Sequence, residues 1–282
     1  MSRDFSAPTF GASVAVGIAP DAGPKEVAYV SAQLAEYRIS LIDSNSRQNP
    51  ALYLRWDGSE LSVESGMSGK TGGGVRQRWR AAVDFSAILN DRARRLTRRQ
   101  PLAKAVGHGA ARIMDATAGF GQDALLLALH GHDVTAMERS PIVQALLADG
   151  VRRARTNAEF AEITASRLRF VAGDSRDWLT QQAGEYDVVY LDPMFPLRRK
   201  TSALPNKHAQ LLQRLTGENA EQVELESAEL LLAALGAARV RVVVKRPHDA
   251  PPIRVGASAP HVSFKSKLVR YDVYLRSGSV QS

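Results

Sequence analysis

The stretch Asp192-Pro193-Met194-Phe195 has residue types that could hold a nucleobase, and it directly follows an apolar run. A carboxylate beside a backbone carbonyl can accept the N–H bonds of an exocyclic amine, and an aromatic ring can stack on a flat base. We therefore predict that Asp192 and the Pro193 carbonyl orient a base amine while Phe195 stacks on the ring. The structural alternative is a strand end with a proline stop and a core phenylalanine.

A glycine-rich turn suited to a nucleoside cofactor lies earlier in the chain than the corner formed by residues 192–195. In this turn Asp115 is followed by Gly119 and Gly121. Glycine lets the backbone approach a ligand closely, and a helix N-terminus adds N–H donors. Glu138 and Asp174 end the next two apolar runs, so we expect them to reach the ribose hydroxyls and the adenine amine. An acid at each successive strand end predicts a cofactor site, whereas the alternative is a tight turn with unrelated solvent-facing acids.

The glycine spacing alone does not identify the cofactor. Ala124 stands where dinucleotide-binding turns often have a third glycine, and because alanine is allowed there the spacing also suits NAD. Hydride transfer has no use for a corner that binds an amine and stacks a base, whereas methyl transfer from S-adenosylmethionine to a base amine does. The turn and the Asp192 corner together favour a methyltransferase over an NAD-dependent oxidoreductase.

The composition is that of a globular protein with a sizeable core. The 282 residues are 44% hydrophobic and 23% charged, which suits one or two domains. The absence of cysteine excludes disulfides and thiolate metal sites and is compatible with the cytoplasm, where we expect the protein to act. No stretch approaches transmembrane length, and the six histidines lack metal-ligand spacing with acids, so we expect neither membrane nor metal binding.

Positive charge is concentrated between Lys70 and Lys104, where ten basic residues stand against two acids. Most of these bases are arginines, whose planar fork suits phosphate, and Trp79 lies among them. We predict nucleic-acid contact for this segment and for two bases near the end of a later strand, although a solvated helix face is the alternative. The bases assigned to phosphates are Arg76, Arg78, Arg80, Arg94, Arg95, Arg98, Arg99, Lys245 and Arg246.

The elements that position these residues fall into two regions. Residues 1–110 contain short apolar runs separated by turn residues, which indicate a small α+β region. The strands predicted there cover 27–30, 38–42 and 52–56, and a helix with a basic face is predicted within 76–99. From residue 111 the pattern alternates between strand and helix, which predicts a second domain over 111–282.

The second region is predicted to be α/β, with a Rossmann-like and mainly parallel sheet. Apolar strands joined by helical crossovers imply a parallel sheet covered on both faces, and a terminal β-pair could add an antiparallel edge. The predicted strands cover 111–115, 133–137, 168–172, 188–191, 240–244, 262–265 and 269–275. The predicted helices cover 122–130, 142–155 and 225–235, with a short one through Trp178.

Several strings in this pattern resemble the ribosomal RNA small subunit methyltransferase J family. The resemblance extends over roughly residues 83–276, and the unbroken strings around Asp192 and Lys245 are more specific than the glycine turn. Its carriers include 83–85, 103–107, 115–123, 138–139, 148–150, 189–196, 243–247, 250–252 and 270–274. Two features depart from the family pattern, namely Gln122 in place of a usual arginine and residues 96–101 in place of a glycine-rich stretch.

The resemblance implies a class I S-adenosylmethionine-dependent methyltransferase that acts on the exocyclic N2 of one guanine in 16S rRNA. The implied partner is 16S rRNA or the small ribosomal subunit. The family's cofactor contacts carry over to Gln122, Asp123, Glu138, Arg139, Asp174, Ser175 and Asp192. Two alternatives are a base-amine methyltransferase acting on DNA or another RNA, and a nucleic-acid-binding protein that keeps the fold without catalysis.

Overall fold

The computed structural model describes residues 16–37, 52–65, 80–90, 97, 99–109, 111–193 and 220–276. The chain divides into two compact units. Of the described residues, the first comprises 16–37, 52–65, 80–84 and 140–156, and the second comprises 85–90, 97, 99–109, 111–139, 157–193 and 220–276. The domain boundary near residue 110 stays a prediction.

The described residues form eleven strands and eight helices, which are numbered here in chain order. The strands are β1 (Val16–Ile18), β2 (Leu52–Trp56), β3 (Leu61–Ser65), β4 (Arg80–Ala81), β5 (Arg112–Asp115), β6 (Asp133–Glu138), β7 (Leu168–Ala172), β8 (Tyr186–Leu191), β9 (Ala238–Pro247), β10 (Val262–Lys265) and β11 (Val269–Leu275). The helices are α1 (Pro24–Glu36), α2 (Ser86–Asn90), α3 (Pro101–Val106), α4 (Gln122–Leu129), α5 (Pro141–Ala154), α6 (Ala158–Ser166), α7 (Ser175–Gln181) and α8 (Ala220–Ala237).

The first unit contains a sheet in the order β1-β2-β3-β4, with β1 parallel to β2 and the other pairs antiparallel. Helix α1 packs on β2, and helix α5 packs on β3 and α1. The predicted strand over 52–56 is confirmed, while the one over 38–42 lies outside the described residues. Helix α5 belongs to this unit although its neighbours in sequence, β6 and α6, belong to the other.

The strand predicted over residues 27–30 is wrong, because this segment lies within helix α1. Pro24 begins the helix, where its fixed φ is favourable and its missing N–H costs no hydrogen bond. Val30 and Leu34 are four residues apart and are both buried on one face of the helix. The ring of Tyr29 stacks on Trp56 with centroids 4.3 Å apart, so packing on β2 fixes the orientation of the helix.

Asp149 fastens helix α5 within the first unit. Its side chain is fully buried, and it accepts hydrogen bonds from the Leu61 N–H at 2.9 Å, from Arg152 at 2.7 Å and from Arg153 at 2.8 Å. Burial raises the pKa of Asp149, but these donors outweigh burial and hold the pKa below its usual value. The buried charge is therefore paired and stabilises the contact between α5 and β3.

The second unit contains a sheet of seven described strands in the order β10-β11-β9-β8-β5-β6-β7. Neighbours from β9 to β7 are parallel, while β11 is antiparallel to both β9 and β10. The predicted α/β fold with a mainly parallel, Rossmann-like sheet and an antiparallel edge is confirmed. The chain runs outward from β5 to β7 and returns at β8, and such a reversal of strand order opens a crevice at the carboxyl ends of the strands.

Strand β8 lies in the middle of this sheet, and five of its six residues are buried, as expected for a parallel strand covered on both faces. Helices α7 and α8 contribute Leu179, Leu231 and Ala234 to a core cluster with Val189 and Val242. The apolar pattern does not predict helices α3 and α6. A signal for α6 exists in Asn157, whose side chain accepts a hydrogen bond from the Phe160 N–H at 3.1 Å and caps the helix.

Gly150 lies in the interior of helix α5, where alanine would normally favour the helix by about 1 kcal/mol. A Cβ added there would lie 2.4 Å from Val83 Cγ1 and 3.1 Å from the Val83 carbonyl oxygen. We expect Gly150→Ala to lower the free energy of unfolding by about 1–3 kcal/mol, because the clash outweighs helix propensity. Urea unfolding measures this change.

Val83→Ala provides the control for the Gly150 prediction. It removes Cγ1, the nearest clashing atom, and leaves the Val83 Cβ at 2.6 Å, so the double variant should lose somewhat less stability than the two single variants added together. Additive losses would show that the Val83 methyl groups do not constrain this position, and a Gly150→Ala protein more stable than the parent would show that Val83 as a whole does not.

Candidate active site

Charged side chains gather at the carboxyl ends of the parallel strands in the second unit. Asp115 ends β5, Glu138 ends β6, and Asp192 directly follows β8. Asp174 follows β7 and Lys245 lies near the end of β9. The carboxyl ends of parallel strands meet along one edge of a sheet, so the predicted site residues from distant parts of the sequence share this edge.

The glycine turn between β5 and α4 has the backbone that its sequence predicts. Gly119 and Gly121 adopt left-handed conformations with φ of 53° and 72°, which residues with a side chain rarely adopt. The Gly119 N–H donates to Glu138 Oε2 at 2.8 Å, so the turn is bonded directly to the acid at the end of β6. The structure therefore brings together two parts of the predicted cofactor site.

A cluster of polar side chains lies beside this turn. Lys245 Nζ is 2.7 Å from Asp123 Oδ2 and 2.9 Å from Asp192 Oδ2. The Tyr190 hydroxyl donates to Asp123 Oδ2 at 2.6 Å, and the Asp192 N–H donates to Thr117 Oγ1 at 2.6 Å. Sequence reasoning identifies both acids but misses Tyr190 and Thr117, although both lie within the strings that carry the family resemblance.

Electrostatic effects in the cluster follow from burial and from its paired charges. Burial lowers the pKa of Lys245, but Asp123 and Asp192 outweigh burial and raise it well above its usual value, so the ammonium stays charged. Burial raises the pKa of Asp192, and the Lys245 ammonium opposes that rise. Asp115 is 1% exposed, and burial raises its pKa to about 8 against the single opposing N–H of Thr117 and the charge of Lys245.

Asp174 and Ser175 begin helix α7. Asp174 accepts a hydrogen bond from the Arg176 N–H at 2.9 Å and pairs with the Arg176 guanidinium at 2.7 Å. Ser175 is buried, and its hydroxyl donates to the Ala116 carbonyl at 2.6 Å, which ties α7 to the segment after β5. Arg139 pairs with Glu226 of α8 at 2.6 Å. Cofactor contacts by Asp174, Ser175 and Arg139 stay predictions.

The contacts of Lys245 and Arg246 differ from those expected of phosphate ligands. The Lys245 ammonium is paired with two carboxylates, as described above. The Arg246 guanidinium donates to the Pro251 carbonyl, at 3.0 Å through Nε, and the residue is only 8% exposed. Phosphate binding by Lys245 and Arg246 stays a prediction, and in this structure both cations already have oxygen partners within the chain.

The rest of the predicted nucleic-acid and base-binding residues are only partly described. Arg80 is ion-paired with Asp57 at 2.8 Å and with Glu60 at 3.3 Å, while Arg99 is exposed. Pro193 is described and buried. The remaining members lie outside the described residues, namely Phe195, Arg76, Arg78, Arg94, Arg95 and Arg98.

The residues at this edge fit the predicted cofactor. Gly119 and Gly121 place no side chain in the turn, and Gly121 is the N-cap residue of α4. Backbone N–H groups at such a helix start can contact a polar ligand. Glu138 and Asp123 supply carboxylates of the kind that accept hydrogen bonds from ribose hydroxyls or an amino group.

Comparison with known proteins gives consistent matches. The family model described as "Putative SAM-dependent methyltransferase" matches residues 38–276. The chain is 48% identical over 180 residues to ribosomal RNA small subunit methyltransferase J of Marinobacter nauticus, which covers 62% of each protein. It is 43% identical over 200 residues to the protein of the same name from Thioalkalivibrio sulfidiphilus, which covers 68% of this chain and 75% of that one.

A crystal structure of a SAM-dependent methyltransferase from Neisseria gonorrhoeae is also similar. It has a TM-score of 0.63 and 29% sequence identity, and the match covers 95% of this chain and 99% of that one. Among the described residues, no helix combines the length and the apolar character needed to span a membrane. Over the same ranges, no group of three or more histidine, cysteine or acidic side chains is placed to hold a metal ion.

The buried carboxyl of Asp115 predicts a specific dependence of stability on pH. Its pKa in the folded protein, about 8, lies above the ordinary value of about 4. Its contribution to the free energy of unfolding is therefore fully present at low pH and is lost as the pH rises toward 8. In Asp115→Asn the amide cannot ionise, yet its oxygen can still accept the Thr117 N–H bond. Between pH 5 and pH 7 the free energy of unfolding should fall in the parent by about 2–3 kcal/mol more than it falls in this variant.

Urea unfolding at several pH values measures the Asp115 effect. Parallel stability profiles for the parent and the Asp115→Asn variant would contradict it, because they would mean that Asp115 titrates equally in the folded and unfolded states.

Proposed function

The chain belongs to the ribosomal RNA small subunit methyltransferase J family of S-adenosylmethionine-dependent enzymes, and we propose that it methylates the exocyclic N2 amine of one guanosine in 16S rRNA. The family resemblance inferred from the sequence is confirmed, and the cofactor is S-adenosylmethionine. The observation that carries the N2 proposal is the Asp192-Pro193 corner, where a carboxylate and a carbonyl lie beside the cofactor turn.

Binding of the cofactor is assigned to the edge formed by the glycine turn and the strand-end acids. Glu138 accepts hydrogen bonds from the ribose hydroxyls, and backbone N–H groups of the turn and of helix α4 contact polar parts of the ligand. Further contacts are assigned to Asp115, Gln122, Asp123, Arg139, Asp174, Ser175 and Asp192. The cofactor supplies a methyl group that is already activated, so the protein's task is mainly to position the acceptor.

Positioning of the target amine is assigned to Asp192 and the Pro193 carbonyl. Asp192 Oδ2 is held by Lys245, and no donor among the described residues bonds to Oδ1. The Asp192 side chain keeps 37% of its surface exposed, so a base can reach it. Two acceptors in fixed positions can orient both N–H bonds of an exocyclic amine. A ring nitrogen or a ribose hydroxyl has at most one such donor bond and cannot engage both acceptors. Because the amine loses a proton readily once methylated, no dedicated base is required.

The remaining roles concern the RNA. Phe195 stacks on the guanine, and the arginines of residues 76–99 contact phosphates, as their charge density favours. The partner is 16S rRNA or the small ribosomal subunit, and the reaction takes place in the cytoplasm. These roles follow from residue type and from the family.

Replacement of Asp192 gives a direct test of its role. Asp192→Ala removes one acceptor while the backbone N–H bond to Thr117 can persist, and Lys245 keeps Asp123 as a partner. We expect kcat for methyl transfer to fall by about 100-fold or more, with the fold intact by circular dichroism.

Asp187→Ala is the matched control for Asp192→Ala, because Asp187 lies near the other end of β8 and pairs with Arg239. Its kcat should equal that of the parent. An Asp192→Ala protein with parental kcat would remove Asp192 from the reaction.

Transfer of labelled methyl groups to three substrates tests the nucleic-acid class. The substrates are purified 16S rRNA, small subunits from cells lacking the enzyme, and duplex DNA. We expect transfer to one or both ribosomal substrates and none to DNA. Transfer to DNA alone would overturn the proposal in favour of a DNA base-amine methyltransferase, and cofactor binding without any transfer would indicate a silent binding protein.

A further inference from the structure

Lys245 links two halves of the site that are far apart in sequence. Asp123 lies on helix α4, 122 residues from Lys245, and Asp192 follows strand β8, 53 residues away. The first acid belongs to the assigned cofactor contacts, and the second is assigned to the target amine. A single ammonium group therefore contacts a carboxylate on each side of the reaction.

The sheet register brings these groups together. Leu191 of β8 pairs with Val244 of β9, so the next position along each strand places Asp192 beside Lys245. On its other side Lys245 pairs in register with Tyr271 of β11. The Asp192 backbone is anchored by the Thr117 hydroxyl, so contacts from two different elements hold Asp192 at its main chain and at its carboxylate.

The same contacts argue against a phosphate-binding role for Lys245. Its ammonium has three N–H donors, and two of them are directed at carboxylates. The side chain of Lys245 is 23% exposed and that of Asp123 is 21% exposed. A phosphate would have to compete with two adjacent carboxylates for this cation.

We propose that Lys245 is the positioning residue that holds Asp192 for the target amine and couples it to the cofactor side through Asp123. This inference rests on the proposed function. Lys245 leaves Asp192 Oδ1 for the amine by binding Oδ2, and it compensates the negative charge of the two acids. Lys245 acts through Asp192 and Asp123. It fixes the position of the Asp192 carboxylate, the acceptor for the amine, and keeps that carboxylate ionised.

The charge state of Asp192 depends on all the groups that face it. Loss of the Lys245 ammonium would leave burial and the neighbouring acids without an opposing cation, so the pKa of Asp192 would rise further. In the ionised form Asp192 Oδ1 can only accept a hydrogen bond, as the amine requires, whereas a protonated carboxyl can present an O–H donor instead. Activity should therefore be lost at a higher pH as the solution is acidified. The groups around it are Asp115, Asp123, Tyr190, Lys245 and Tyr271.

Two variants separate geometry from charge. Lys245→Met keeps an unbranched side chain of nearly the same length and removes the charge, whereas Lys245→Arg keeps the charge and changes the shape of the head group. Lys265→Met is the matched control, since Lys265 is an exposed lysine of β10 and its loss removes the same charge from the same unit. Thermal melts followed by circular dichroism establish that each variant folds.

The measurements are kcat and KM for the RNA substrate across pH, salt dependence of RNA binding, and calorimetric affinity for S-adenosylhomocysteine. For Lys245→Met we expect kcat to fall about 100-fold, with RNA KM and the salt slope unchanged. The acid limb of the kcat profile should move up by about one pH unit or more. Affinity for S-adenosylhomocysteine should fall about 2- to 10-fold.

Lys245→Arg should recover part of kcat and keep the acid limb near that of the parent, while Lys265→Met should match the parent throughout. If Lys245→Met does not fold, Lys245→Gln, which also removes the charge, decides by the same readouts. Its kcat should fall with the acid limb moved up, and parental kcat with an unmoved limb would overturn the proposal.

Three results would overturn the proposal. One is parental kcat in Lys245→Met. Another is a raised RNA KM with a salt slope reduced by about one, which would make Lys245 a phosphate ligand. The third is an equal loss of kcat in both variants with no shift of the acid limb, which would mean a purely structural role.

Failure of the proposed function can be told apart from failure of this inference. If the parent methylates none of the ribosomal substrates, the function fails, and the link from Lys245 to the cofactor side is still tested by the affinity for S-adenosylhomocysteine.

Discussion

The ammonium group of Lys245 holds two carboxylates that a parallel sheet brings to the same edge. Parallel strands end side by side, so acids placed after successive strands accumulate negative charge in a partly buried crevice. Burial alone would drive Asp192 toward its neutral form, as it does Asp115. A cation between Asp123 and Asp192 opposes this, so the site can keep ionised carboxylates at the position that we propose for the target amine.

The cofactor side depends on a similar use of fixed contacts. The left-handed backbone at Gly119 directs an N–H group at Glu138, so the turn and the acid are positioned together. Ser175, at the start of the helix that follows β7, donates to the Ala116 carbonyl and so connects that helix to the segment after β5. These bonds hold the polar groups before a ligand arrives, which lowers the cost of ordering the site on binding.

Much of the second unit could be predicted from the sequence, because its strands are continuous apolar runs with an acid or a glycine turn at their ends. The first unit was harder to predict, and Val27–Val30 shows why. Valines suggest a strand, but packing of Val30 and Leu34 makes the segment helical. Phosphate contact is predicted for Lys245 from its charge and its place near a strand end. Its carboxylate partners lie 122 and 53 residues away, and no local pattern reveals such contacts.

The position of the methyl group on the product nucleoside tests the central claim most directly. The claim is that the acceptor corner at Asp192 receives an exocyclic amine. Small-subunit RNA from the reaction would be digested to nucleosides and analysed by mass spectrometry against standards. The account predicts N2-methylguanosine at a single site, whereas a methyl group on a ring nitrogen or on a ribose oxygen would contradict it.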